Sequence, residues 1–382
     1  MKRIHQGLIV AAALLCAPAP ALAQAAPVKF VGLVELSGPG ATSGTNFDEG
    51  AKLAVKEINA AGGILGRKIE YTSSDTQSQP QIAKALAQQA VDQDAYVVLG
   101  PVFSGSILVS MAETKRAEVP NFTGGEAASI TQQGNPYIFR TSFTQAAAMP
   151  KVVSYMKDTM KVKNVALMWV NNDYGKGGRD TVVKEFDKAG IKVVADISTD
   201  QGQVDFSGPV LKTKQANADA AFVYLNEDES ARALREFKKQ GYDKPLVGET
   251  TLVGQKVIEL AGDAANGAIA HVGLTADAPL PTIKAFDEKF QKEWKHKSDH
   301  NGIKGYTAVY VVKAMTEKMG KFDRKGLAAA LHGAKISAKD HPGVLMDVSY
   351  DANGDLDRES FMIRVENGRQ VVFAVVQPVG AK

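Results

Sequence analysis

Short apolar runs alternate along this chain with stretches whose apolar positions recur at helical spacing. Phe30 to Leu36 is the first run, and it ends in Ser37-Gly38-Pro39-Gly40. Phe47, Ala51, Ala54, Val55 and Ile58 then fall on one helical face, which Gly62-Gly63 closes. Ile69 to Ser73 reads as a strand, Pro80 to Gln93 as a helix, Ala95 to Leu99 as a strand, Ser106 to Ala117 as a helix and Val119 to Phe122 as a strand. Alternation of this kind predicts a parallel sheet with helices on both faces.

After Phe139-Arg140-Thr141 the rhythm restarts. Helices over Ala146 to Met160, Gly177 to Ala189, Phe206 to Ala216, Glu229 to Gln240 and Gly254 to Ala261 interleave with a second set of strands. These are Val165 to Val170, Ile191 to Ile197, Ala220 to Leu225, Pro245 to Gly248 and Ala268 to Val272. Two long helices (Pro281 to Trp294 and Tyr306 to Met319), a short one near Asp323 to His332 and a hairpin around Asn367-Gly368 complete the chain. The fold class is therefore α/β, with two doubly wound parallel-sheet lobes. No Pro-rich or low-complexity linker separates the two sets, so the expected link is a multi-strand hinge with a cleft beside it. The expected division is 27–143 with 276–356 in the N-terminal lobe, and 144–275 with 357–382 in the C-terminal lobe. Ligands of such sheets sit at the carboxyl ends of the strands.

The N-terminus places this architecture in a compartment. Lys2, Arg3 and His5 precede an apolar stretch, Leu8 to Leu15, that is too short to span a bilayer. Ala21-Leu22-Ala23 then offers a cleavage site, so residues 1–23 read as a signal peptide and the expected location is the periplasm. Cys16 invites a lipoprotein reading, but that motif wants a small residue before the cysteine and Leu15 stands there. No later apolar run is long enough for a membrane span, so no direct membrane insertion is expected. Cleavage removes the only cysteine and leaves 43 basic against 42 acidic side chains. Without disulfides the lobes must be held by their cores. The near-neutral balance argues against a nucleic-acid partner.

Sequence patterns for catalysis and cofactors are missing. Gly38-Pro39-Gly40 with Gly44 departs from the dinucleotide spacing and reads as a turn into a helix. No Walker loop, zinc-protease helix or nucleophile elbow occurs. The six histidines are scattered. His296 and His300 are four apart, but His300 falls past the expected end of its helix, and both read as solvated. Asp351 to Asp357 resembles a calcium loop but has Leu356 where glycine is required, so a turn on Asn353-Gly354 is expected instead. The expectation is a non-enzymatic protein with no cofactor and no metal.

The strand-end loops carry the binding chemistry. Ser104-Gly105-Ser106 opens a helix, where unpaired N–H groups and the helix dipole favour a carboxylate. A plain N-cap by Ser104 is the alternative. Thr123-Gly124-Gly125-Glu126 offers a close backbone, the Gly124 carbonyl and the acid Glu126. In the second set, Asn172-Asp173-Tyr174-Gly175 supplies an aromatic face with a polar tip, and Glu249-Thr250 supplies an acid that could face an ammonium. Together they suit a small zwitterion.

Gly50 to Lys68 (GAKLAVKEINAAGGILGRK), Asn172-Asp173-Tyr174-Gly175 and the Ser37-Gly38-Pro39 turn make the mature chain resemble the leucine/isoleucine/valine-binding family of periplasmic solute receptors. The resemblance implies the type I periplasmic binding fold, two lobes joined by three strands that close on an amino acid. It also implies delivery to an inner-membrane ABC permease. By position it implies that Ser104 binds the ligand carboxylate, that Gly124 O and Glu249 receive the ammonium, and that Tyr174 covers the ligand. Two positions depart from the family. Ser43 stands where an aromatic residue is frequent, and Glu126 stands where Ser or Thr is usual. An unpaired carboxylate in a closed cleft is costly, so Glu126 is expected either to point away, paired with a basic side chain, or to meet an extra donor on the ligand. The expected function is capture of an amino acid, branched-chain or related, for an ABC importer. The alternatives are a sensing module of the same fold, or a receptor for a non-amino-acid carboxylate or amide.

Overall fold

The computed structural model describes residues 26–378, so the expected signal peptide and Cys16 lie outside the described residues. In the first lobe the chain runs β1 (Val28–Val34), α1 (Ala41–Ala60), β2 (Ile69–Asp75), α2 (Pro80–Asp92), β3 (Val97–Leu99), α3 (Ser104–Arg116), β4 (Asn121–Thr123) and β5 (Ile138–Arg140). All five strands are parallel, in the order β2-β1-β3-β4-β5. The inner strands are buried almost throughout because helices cover both faces, with β3 an unbroken apolar run, whereas the edge strand β2 is only partly buried.

The second lobe holds α4 (Gln145–Asp158), β6 (Asn164–Val170), α5 (Asp173–Ala189), β7 (Lys192–Thr199), α6 (Ser207–Gln215), β8 (Ala220–Tyr224), α7 (Glu227–Lys239), β9 (Leu246–Gly248), α8 (Thr250–Val253), α9 (Gln255–Ala261) and β10 (Ile269–Val272). The chain then forms α10 (Pro281–Trp294), α11 (His300–Met319), α12 (Arg324–Leu331), the short pair β11 (Lys335–Ile336) and β12 (Val348–Ser349), and finally β13 (Ser360–Glu366) and β14 (Arg369–Val376). The last two strands add antiparallel to the second sheet, giving the order β14-β13-β10-β9-β8-β6-β7.

Helices α10 and α11 return to the first lobe and pack on α1. The approach is backbone to backbone. A Cβ on Gly50 would collide with the Gly302 carbonyl, and one on Gly305 with the Phe47 carbonyl. The chain thus passes between the sheets three times, and the crossings touch one another. Phe143 bridges Leu356 in parallel, and Gly273 lies against the Phe143 ring with no room for a side chain.

Several helices begin earlier than the apolar spacing predicts, among them α3, α5, α7 and, by six residues, α11. α11 starts at His300 rather than Tyr306, because the Asp299 carboxylate caps it by accepting from the N–H groups of Asn301 (2.7 Å) and Gly302 (3.2 Å). His300 is therefore buried in the first turn of α11 and not solvated. His296 is half-buried, with Nε2 3.1 Å from Glu49 Oε2. No helix among the described residues is long and apolar enough to cross a membrane.

Candidate functional site

A half-open pocket lies between the lobes. Ser43, Ser104, Gly124 and Glu126 line it from the first lobe, Tyr174, Asn226, Glu227 and Thr251 from the second, and His300, Asn301 and Lys304 from α11.

One wall is the start of α3. Glu35, just after β1, is fully buried and accepts from the N–H groups of Val102 (3.0 Å) and Phe103 (3.1 Å). Burial pushes its carboxyl up to about 7 against the pull of those two bonds. The loop is thereby anchored just before α3, whose first-turn N–H groups lack intrahelical partners by geometry and face the positive end of the dipole. Ser104 does not cap this helix. Its Oγ instead accepts from Ala127 N at 3.3 Å, which ties α3 to the loop after β4.

That loop is shaped by a buried arginine. Arg140 donates to the carbonyls of Gly125 (2.7 Å) and Ala127 (2.6 Å), pairs with Asp355, and is joined at Gly125 O by the Ser142 hydroxyl (3.0 Å). The Gly124 carbonyl accepts instead from Lys304 Nζ at 3.2 Å. The same Nζ lies 3.3 Å from Glu126 Oε1, so Glu126 lines the cavity and is paired with a basic side chain.

The second lobe contributes an aromatic face and an acid. Asn172 caps α5 by accepting from Gly175 N at 2.8 Å, which sets Tyr174 in the first turn. The Tyr174 ring stacks on Tyr224 with centroids 4.3 Å apart, and its hydroxyl lies 3.0 Å from Thr251 Oγ1. Gln145 Nε2 locks the pair by donating to Tyr174 O (2.7 Å) and Tyr224 Oη (3.0 Å). Glu227 opens α7 and accepts from Asn301 Nδ2 at 3.2 Å. Burial raises its pKa, opposed by hydrogen bonds from Ser43 and Asn301 and by the charge of Lys304.

The remaining expected residues lie nearby in separate compartments. Glu249 lines a second pocket, together with Phe143, His271 and Leu274. This cavity shares Glu126, His300 and Lys304 with the first. Glu249 Oε2 is 3.0 Å from His271 Nδ1, and burial raises the Glu249 pKa against the pull of His271. Gly105 borders a third cavity with Asn172 and Asp173, and a Cβ there would come within 2.9 Å of Asp173 Oδ2 across the cleft.

Sequence reasoning passed over Asn226, Glu227, Thr251, His300, Asn301 and Lys304. Asn226-Glu227 directly follows a strand, so the strand-end rule alone could have found it. Lys304 sits inside a helix from the returning segment, and no local pattern marks it.

The description "Periplasmic binding protein" belongs to the family model that matches residues 27–370. The leucine-, isoleucine-, valine-, threonine-, and alanine-binding protein of Pseudomonas aeruginosa is 28% identical over 331 residues, covering 86% of this chain and 87% of its own. A Leu/Ile/Val-binding protein of Rhizobium johnstonii is 27% identical over 347 residues, covering 90% of this chain and 93% of its own. Among solved structures, the branched-chain amino acid transporter substrate binding protein LivJ of Streptococcus pneumoniae, in complex with isoleucine, superposes with a TM-score of 0.84. It is 26% identical, over 92% of this chain and all of that one (100%). A solute binding protein of an ABC transporter from Rhodopseudomonas palustris, in complex with 3,4-dihydroxy benzoic acid, has a TM-score of 0.85 at 24% identity, over 92% of this chain and 98% of that one; it shares the fold.

Proposed function

The chain belongs to the periplasmic binding protein family, and on that premise we propose that it is the solute-binding component of an ABC importer. It acts in the periplasm and closes its two lobes on an amino acid or a related small carboxylate, for delivery to an inner-membrane permease. The single observation that carries this reading is the inter-lobe cavity with Ser104 and the start of α3 on one wall and the Tyr174 ring on the other. A carboxylate is held by N–H groups and a hydroxyl, and the aromatic face covers the body of the ligand. The relatives that bind leucine, isoleucine and valine support the amino-acid class.

Mass spectrometry of the solute released from purified protein, followed by calorimetry with an amino-acid and organic-acid panel, tests the reading. One small carboxylate bound at micromolar affinity or better is the expected result. Turnover of the bound solute, or no binding across the panel, would overturn it.

A further inference from the structure

Lys304 brings an ammonium group of the protein's own into the inter-lobe cavity. It reaches there from α11 with the whole residue 3% exposed, and its Nζ donates to Gly124 O (3.2 Å) and Glu126 Oε1 (3.3 Å). Those two acceptors belong to the loop that Ser104 Oγ grips at Ala127 N. A ligand whose carboxylate meets Ser104 therefore turns its neighbouring substituent toward a carbonyl and a carboxylate that are already engaged. Glu249, the acid expected to receive an ammonium, lies in the second compartment, beyond the Glu126–Lys304 pair, with Oε2 bonded to His271 and Oε1 without a hydrogen-bond partner among the described residues.

Charge and hydrogen bonding point the same way. A second ammonium beside Lys304 would meet a like charge at close range, while Glu227, the other acid lining this cavity, has its carboxyl pushed by burial toward the neutral form. An ammonium has three donors, and two of those on Lys304 are spent inside the protein. The third can serve an acceptor on the ligand. Asn301 lines the same cavity, is fully buried, and has Oδ1 without a hydrogen-bond partner among the described residues, an acceptor open to a donor on the ligand, which a hydroxyl supplies and a 2-oxo group does not.

We propose that the solute carries an acceptor or nothing beside its carboxylate in place of an α-ammonium: a 2-hydroxy, 2-oxo or unsubstituted carboxylic acid. This rests on reading the cleft as the solute site, and it narrows the class of solute to the members without the amine.

Matched sets test it by calorimetry on protein stripped of solute by unfolding and refolding. Alanine, leucine and phenylalanine are each compared with the 2-hydroxy, 2-oxo and desamino acid of the same side chain. In every set that binds, the acids without the ammonium should bind at least about tenfold tighter than the amino acid. An amino acid that binds as tightly as its partners, or more tightly, overturns this inference and leaves the importer reading standing. No binding in any set overturns both. Lys304→Met, where it folds, should collapse the preference toward unity or invert it, and an unchanged ratio in the folded variant counts against the role given to Lys304. Where that variant does not fold, the wild-type ratios decide alone.

Discussion

Asn301, in the first turn of α11, donates to the Glu227 carboxylate at the start of α7 across the cleft, at 3.2 Å. Thr42 Oγ1 makes a similar reach to Asp228 Oδ1, at 3.0 Å. Both bonds join the lobes on either side of the cavity, so both exist only while the cleft is closed.

Ligand affinity therefore depends on contacts that the ligand never touches, because a closed state that is less populated binds more weakly overall. Thr42→Val removes one inter-lobe bond and leaves the cavity wall intact. Its affinity should fall about fivefold, the scale of roughly 1 kcal/mol for one hydrogen bond. Small-angle scattering should show a smaller radius of gyration with ligand than without in the wild type. The ligand-free Thr42→Val protein should be at least as extended as the wild type.

Ser104→Ala tests two roles at once. The hydroxyl does not cap α3, so the helix itself should change little, but Ala127 N loses its acceptor and stability should fall by about 1 kcal/mol. Loss of a hydrogen bond to a charged ligand group should cost about 1.5 to 3 kcal/mol of affinity. Calorimetry and thermal melts on the same preparation check this. Unchanged affinity would remove Ser104 from the site.

Glu249→Gln should act on stability more than on binding. Its carboxylate is tied to the buried His271 and lines the compartment away from Ser104. Affinity should stay within about threefold of wild type, while the weakened charged hydrogen bond lowers stability by about 1 to 2 kcal/mol. A hundredfold loss of affinity would place a ligand ammonium at Glu249.

Glu35 gives a pH signature of definite sign. Its pKa is raised from 4.5 to about 7 by burial, so between those values the folded chain holds a proton that the unfolded chain releases. Its contribution is complete below about 4.5 and is lost as pH rises through about 7. The loss is on the order of 3 kcal/mol at the usual ~1.4 kcal/mol per pH unit. Denaturant titrations from pH 5 to 8 should show stability falling with pH, less steeply in Glu35→Gln. A residual slope remains because burial also raises Asp299, to about 7, and the carboxyls of Glu49, Glu227, Glu229, Glu249 and Asp287.

Strand and helix alternation is a local property, and it was legible over most of the chain because periodicity survives without tertiary context, although β5, β11, β12 and the first turn of α11 were not foreseen. The strand-end loops with Ser104, Gly124, Glu126 and Tyr174 were legible for the same reason: parallel topology alone sends strand ends to one edge. Ser43 came from the resemblance, and it too lines the cavity. The partner of each loop was not legible. Lys304 is 178 residues from Glu126 in sequence and reaches it only because α11 returns to the first lobe and packs on α1 through Gly50, Gly302 and Gly305. The burial of His300 and the separation of Glu249 from Ser104 depend on the same return. Local pattern specifies which residues lie on which element. Which charges share one cavity is settled by contacts between segments far apart in the chain, and here those contacts put the Lys304 ammonium beside Gly124 O and Glu126.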